Sequence, residues 1–147
     1  MLLGGKTAVI TGSNKGIGLE TLKVFLQNDD KKIFACTRKI SKDFREEIDQ
    51  LQKKSKSEII IVNLDLTDEK SVKEATNEIL ANSANIDVLV NNAGAISTSL
   101  FQMTKIEEVK NIFDINFFSQ YLFSQQILKG MIKNKKGSII FISSTSA

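Results

Sequence analysis

An α/β fold built on a doubly wound parallel sheet is what this sequence predicts, and three observations carry the prediction. Five short runs rich in Val, Ile or Phe alternate with segments whose apolar residues recur at helical spacing. The runs are apolar throughout, as strands covered on both faces must be. A glycine-rich turn, Thr11-Gly12-Ser13-Asn14-Lys15-Gly16-Ile17-Gly18, joins the first run to the first helical segment. Repeated βα units of this length give a parallel sheet with right-handed crossovers.

The elements follow in order. Strands are predicted over Thr7 to Thr11, Ile33 to Thr37, Glu58 to Asn63, Asp87 to Asn91 and Ser138 to Ser143. Between them, Leu22, Phe25 and Leu26, then Phe44, Ile48 and Leu51, then Val72, Ala75 and Ile79 each mark one face of a helix. Thr104 and Glu107 have the spacing of a capping box before a long helical segment that runs to about Lys133. In that segment Ile112, Phe113, Ile115, Phe117, Phe118, Tyr121, Leu122 and Phe123 are spread around the whole circumference. One side of one sheet cannot bury them all, so a partner subunit is expected to cover the remainder.

Composition narrows the chemistry. The 147 residues are read as one domain, 1–147, because there is no proline and no low-complexity stretch to mark a linker. The net charge of +3 is mild, and the lysines at 53–56 and 133–136 fall near helix ends, where cations offset the macrodipole, so no nucleic-acid partner is expected. No apolar run is long enough to cross a membrane, and Met1-Leu2-Leu3 runs straight toward the first strand without a leader pattern, which predicts a cytoplasmic protein. The single Cys36 excludes an intrachain disulfide, and the absence of histidine removes the usual zinc sites and histidine triads. Acid–base chemistry must use other groups.

The glycine turn carries the first functional signal. Its spacing is G-x-x-x-G-x-G, which lets the backbone turn tightly and approach a phosphate while the first N–H groups of the helix point at the anion. That is the design of a dinucleotide pyrophosphate cradle, although the spacing differs from the common G-x-G-x-x-G fingerprint. Four further landmarks stand at intervals along the chain: Asp65 in Asn63-Leu64-Asp65-Leu66-Thr67, the run Asn91-Asn92-Ala93-Gly94, Asn116, and Gly137-Ser138-Ile139-Ile140-Phe141-Ile142-Ser143-Ser144.

With these landmarks in register, the chain resembles the amino-terminal portion of a short-chain dehydrogenase/reductase, and the resemblance covers essentially its whole length. It implies a Rossmann-type sheet, incomplete at the carboxyl end, that carries a nicotinamide cofactor and transfers hydride between that cofactor and a carbonyl or alcohol. Position by position it implies that Gly12, Ser13, Asn14, Lys15, Gly16, Ile17 and Gly18 form the phosphate turn, with Ile17 nearest the nicotinamide side. Asp65 and the Leu66 backbone resemble the adenine contact. Asn91 resembles the asparagine that ties neighbouring strands, Asn92 belongs to the same cofactor-side run, and Ala93 and Gly94 leave space for a ribose. The substrate-binding hydroxyl is assigned to Ser144, one residue past the strand, rather than Ser143, and Asn116 to the asparagine that holds a relay water.

Charge decides the expected cofactor. An acidic residue about 20 positions beyond the turn selects NAD through the ribose 2′-hydroxyl, but here the region reads Cys36-Thr37-Arg38-Lys39. No carboxylate repels a 2′-phosphate, Arg38 offers a planar fork that suits one, and Lys15 adds a second cation, so NADPH is expected over NADH. The family's catalytic tyrosine and the lysine four residues after it have no counterpart. The sole tyrosine, Tyr121, lies in the long helix before the serine and is followed four residues later by Gln125. The expectation is therefore an NADPH-dependent oxidoreductase acting on a small carbonyl or alcohol, possibly a 3-oxoacyl-thioester reductase, and a homodimer or homotetramer when complete. Residues 1–147 alone are expected to be inactive. The alternative is a catalytically inactive NADP(H)-binding or oligomerisation module.

Overall fold

Five parallel strands pair in the spatial order β3-β2-β1-β4-β5. They are β1 (Thr7–Thr11), β2 (Lys32–Thr37), β3 (Glu58–Asn63), β4 (Val88–Asn91) and β5 (Ser138–Phe141). The structure is a computed structural model, and it describes residues 3–28 and 31–144. The α-helices are α1 (Gly16–Leu26), α2 (Lys42–Lys54), α3 (Glu69–Asn82), α4 (Ile106–Phe113) and α5 (Ser119–Ile132), with a short 3-10 turn at Phe101–Met103 before α4. The chain winds outward from β1 to β3 and then returns to the other side of β1, so its crossovers fall on opposite faces of the sheet.

Alternate side chains of the central strands serve two cores. Val9, Phe34, Val62 and Leu89 pack with Val72, Ala75 and Ile79 of α3 and with Phe123, Ile127 and Met131 of α5. Ala8, Ile10, Ile33, Ala35, Val88 and Val90 face the other way, against Leu22 and Leu26 of α1 and Phe44 and Ile48 of α2. This is the three-layer arrangement that unbroken apolar strands require. Two helices begin on side-chain caps: the Ser41 hydroxyl accepts from the Phe44 N–H at 3.2 Å, and the Asp68 carboxylate accepts from the Lys70 N–H at 3.0 Å.

The structure bears out the predicted fold class and adjusts several elements. β2 starts one residue earlier than expected, β4 one residue later, and β5 ends at Phe141, although the Ile142 N–H still bonds the Asn91 carbonyl. The expected capping box does not form. Thr104 turns its hydroxyl onto the Leu100 carbonyl, and α4 begins at Ile106 with Lys105 as an N-cap that makes no side-chain bond. Local back-bonding within the preceding turn wins over capping.

The long segment is two helices joined by a π-helical turn, Asp114–Phe118. That turn shifts the register of everything before it, so the apolar residues divide between Ile115 and Phe123, which are buried, and Phe113, Phe117, Phe118 and Tyr121, each more than half exposed. Phe117 and Phe118 meet edge to face at 5.3 Å on the outer surface.

Phe34 lies on the strand next to β1 and is wholly buried. Phe34→Ala should lower the unfolding free energy by about 3–5 kcal/mol, measured by denaturant titration, because the sheet cannot collapse onto the vacated volume.

Candidate functional site

A cleft of about 570 Å³ opens at the carboxyl ends of the strands, where β1 and β4 diverge into crossovers on opposite faces. Open α/β sheets bind ligands at this switch point. Its walls come from four strand ends: Gly12 and Asn14 to Ile17 after β1, Thr37 to Lys39 at the end of β2, Leu64 to Thr67 after β3, and Asn92 to Ala95 after β4.

The floor is set by backbone approaches that glycine alone permits. Gly12 and Gly16 have φ of 65° and 54°, in the left-handed region. At Gly18 the constraint is space, since a Cβ there would stand 2.2 Å from the Gly12 carbonyl oxygen and 2.5 Å from the Asn92 amide nitrogen. The start of the helix that follows differs from those of α2 and α3. α1 has no side-chain N-cap and no acidic residue in its first turn, whereas α2 and α3 have both. Its N–H groups are thus left to whatever enters the cleft, which suits a phosphate.

Thr11 and Asn92 lock the two halves of the sheet together. The Thr11 hydroxyl accepts from the Asn92 and Ala93 N–H groups at 3.0 and 2.9 Å, and the Asn92 amide donates to the Thr11 and Gly12 carbonyls. The tie expected of Asn91 therefore belongs to Asn92. Asn91 is wholly buried, and its amide donates instead to the Ser124 hydroxyl at 2.8 Å. Ser13 also differs from expectation, because its hydroxyl and its N–H both donate to the Cys36 carbonyl at 3.1 Å. It braces the turn from behind and does not line the cleft.

At the opposite end of the cleft, Asp65 is held in a tight turn by the Thr67 N–H and hydroxyl at 2.9 and 2.7 Å. Burial raises its pKa, but the two Thr67 hydrogen bonds and the nearby Arg38 outweigh that effect, and the carboxyl sits below its usual value. A depressed carboxylate stabilises the fold above its unfolded-state pKa, and this support is lost as pH falls through the folded value. Arg38, Lys39 and Lys15 supply the cations of the cleft. Cys36 is fully buried and its thiol pKa is pushed up by burial, so it is a packing residue.

Asn116 reaches the loop after β4 from inside the π-helical turn. Its carbonyl oxygen accepts from the Ala95 N–H at 2.8 Å and its amide donates to the Ala95 carbonyl at 2.7 Å. The side chain thus holds the backbone of the loop after β4. Further along, Glu108 of α4 accepts from the hydroxyls of Ser97 and Ser99. Ser143 and Ser144 follow the last paired residue of β5, beside the end of β4. The sequence reading missed Gln120, which is buried and donates to the Ala93 carbonyl at 2.5 Å. Its signal was available: Asn116, Gln120 and Ser124 recur every fourth position, so that polar side chains line one helix face.

Together the switch-point cleft, the close glycine turn and the uncapped α1 define a Rossmann-type nucleotide-binding protein. The family model for short chain dehydrogenases matches residues 6–147, and the chain belongs to that family. It is 32% identical over 146 residues to an uncharacterized oxidoreductase of Thermotoga maritima, covering 99% of this chain and 56% of that one. It is 33% identical over 139 residues to the 3-oxoacyl-acyl-carrier-protein reductase of a Buchnera aphidicola strain, covering 95% of this chain and 54% of the relative. Among solved structures, L-sorbose reductase of Gluconobacter frateurii, complexed with NADPH and L-sorbose, superposes with a TM-score of 0.89 at 26% identity over 97% of this chain and 54% of that one. The chain spans about half the length of the relatives it matches.

Gly18→Ala should cost about 1–3 kcal/mol in unfolding free energy and abolish dinucleotide binding, since backbone must move to admit the methyl. Calorimetry and a cofactor titration on the same sample check both halves.

Proposed function

We propose that this chain is the cofactor-binding portion of an NADPH-dependent carbonyl reductase. The observation that carries the reading is the pairing of an uncapped helix start with a cation-lined cleft end: α1 leaves its N–H groups to a pyrophosphate, and Arg38, Lys39 and Lys15 border the region a 2′-phosphate would reach. Asn14 to Ile17 would hold the pyrophosphate, Asp65 and Leu66 the adenine, and Asn92, Ala93 and Gly94 the nicotinamide ribose. The cofactor supplies hydride, and the residues here orient it.

Ser144 would hold the substrate oxygen. Asn116, whose side chain is anchored on Ala95, would hold a water that carries protons toward the site. A proton donor must stand beside the carbonyl oxygen as hydride arrives, and Tyr121, more than half exposed on the outer face of α5, is not that group. Residues 1–147 alone should therefore show no turnover, whereas a form that carries a tyrosine about 13 residues beyond Ser144 and a lysine four further on should be active. The resemblance to acyl-carrier-protein reductases favours a 3-oxoacyl thioester as substrate, and the exposed Phe113, Phe117, Phe118 and Tyr121 favour a homodimer or homotetramer built on this face.

A second reading, a catalytically inactive NADP(H)-binding or oligomerisation module, is favoured by the placement of Tyr121 alone.

The full-length protein should bind NADPH roughly tenfold or more tightly than NADH, and Arg38→Asp should erase or reverse that preference. Equal dissociation constants in the unsubstituted protein would overturn the cofactor assignment. In steady-state assays with a carbonyl substrate, Ser144→Ala should depress kcat far more than it weakens NADPH binding, and Ser143→Ala should be milder. Equal effects would move the substrate contact to Ser143.

A further inference from the structure

Three polar side chains of the α5 segment meet alternate residues of the chain leaving β4. Asn116 holds both backbone groups of Ala95, Gln120 holds the Ala93 carbonyl, and Ser124 holds the Asn91 side chain. The helix positions advance by four while the strand positions recede by two. Four helical residues rise about 6 Å and two extended residues span about 6.6 Å, so the two repeats are commensurate. The stripe continues as Phe123, Ile127 and Met131, which are buried against the sheet. Gln120 is therefore a carboxamide in a core position, and burial of such a group is favourable only when it is hydrogen-bonded.

The partner it has found is a peptide group of the cleft wall. The Ala93 N–H donates to the Thr11 hydroxyl, and the Ala93 carbonyl is drawn the other way by Gln120. With both ends of this residue's backbone held, its carbonyl stays on the helix side. Released from Gln120, the Ala93–Gly94 peptide could rotate and put a carbonyl dipole into the cleft, beside the groups expected to receive a ribose. Gly94 has no Cβ to resist that rotation; a Cβ there would meet the Asn116 side-chain oxygen at 3.2 Å.

We propose that Gln120 is a positioning residue for the dinucleotide: it fixes the orientation of the Ala93–Gly94 peptide, and cofactor affinity depends on that bond. The inference rests on the dinucleotide reading of the cleft but assigns a role to a residue outside it. Ser124 occupies the same stripe one turn further from the cleft and serves as the internal control.

The test is an NADPH titration by fluorescence on the full-length protein, with thermal unfolding of each sample. Gln120→Met conserves volume and removes the donor, and it should raise the NADPH dissociation constant about tenfold, the cost of leaving one buried carbonyl without its partner. Gln120→Glu replaces the donor with an acceptor that repels the Ala93 carbonyl and should weaken binding further. Ser124→Ala should lower the unfolding temperature and leave the dissociation constant within about twofold of the parent. In the assay, KM for NADPH should rise in Gln120→Met with kcat little changed. An unchanged dissociation constant in Gln120→Met overturns the proposal, as does a loss in Ser124→Ala equal to that in Gln120→Met, which would reduce the effect to general loosening. If Gln120→Met does not fold, the ranking of Gln120→Glu against Ser124→Ala decides in the same way. Failure of the unsubstituted protein to bind any dinucleotide overturns the cleft reading itself, and this role with it.

Discussion

The contact on which the rest of the structure depends is the near-collision of the turn after β1 with the end of β4. The Gly12 carbonyl lies where a side chain at Gly18 would be, and the Asn92 amide bonds the carbonyls of Thr11 and Gly12 from the other side. The Thr11 hydroxyl takes the Asn92 and Ala93 N–H groups. These bonds satisfy backbone groups that would otherwise be orphaned where two strands part company, and they hold the cleft open at a fixed width. The start of α1, the helix that lacks a side-chain cap, is placed by the same knot.

From that knot outward, polar side chains do more shaping of the cleft than apolar packing does. Ser13 props the turn against the end of β2, Asp65 folds the segment after β3, and Asn116 and Gln120 suspend the segment after β4. Each is a side chain bonded to backbone, which fixes loops that have no ladder of their own. The cleft is thus organised before any ligand arrives, and the entropy of ordering it is borne by folding rather than by binding.

Much of this was legible in the sequence because strands and helices announce themselves by period. Val9, Phe34 and Leu89 on one face and Ala8, Ile10 and Ile33 on the other fall where unbroken apolar runs place them. The glycine turn, Asp65 and Asn92 to Gly94 line the cleft, and Arg38 and Lys15 border it. What escaped was whatever depends on a neighbour rather than a period. Ser13 reads as a turn residue in sequence, and only the proximity of the Cys36 carbonyl turns it inward. Thr104 can cap forward or bond backward, and the two alternatives look identical in one dimension. The π-helical turn at Asp114–Phe118 has no compositional mark, yet it decides which of the aromatic residues face outward.

The strand order has a consequence for how the polypeptide acquires its shape. Among the described strands β1 comes earliest in the chain and lies at the centre of the sheet, with β2 on one flank and β4 on the other. The Thr7 N–H bonds the Asp87 carboxylate across 80 residues of sequence. During translation the oldest strand therefore waits, half clothed, until nearly two thirds of this chain has emerged, and pairings this distant form slowly. Until β4 arrives, one edge of β1 is bare and Asn92 has nothing to clasp. The ribosome and whatever chaperones attend it must shelter that edge for the interval, so the order of strands in space sets a timetable for the nascent chain.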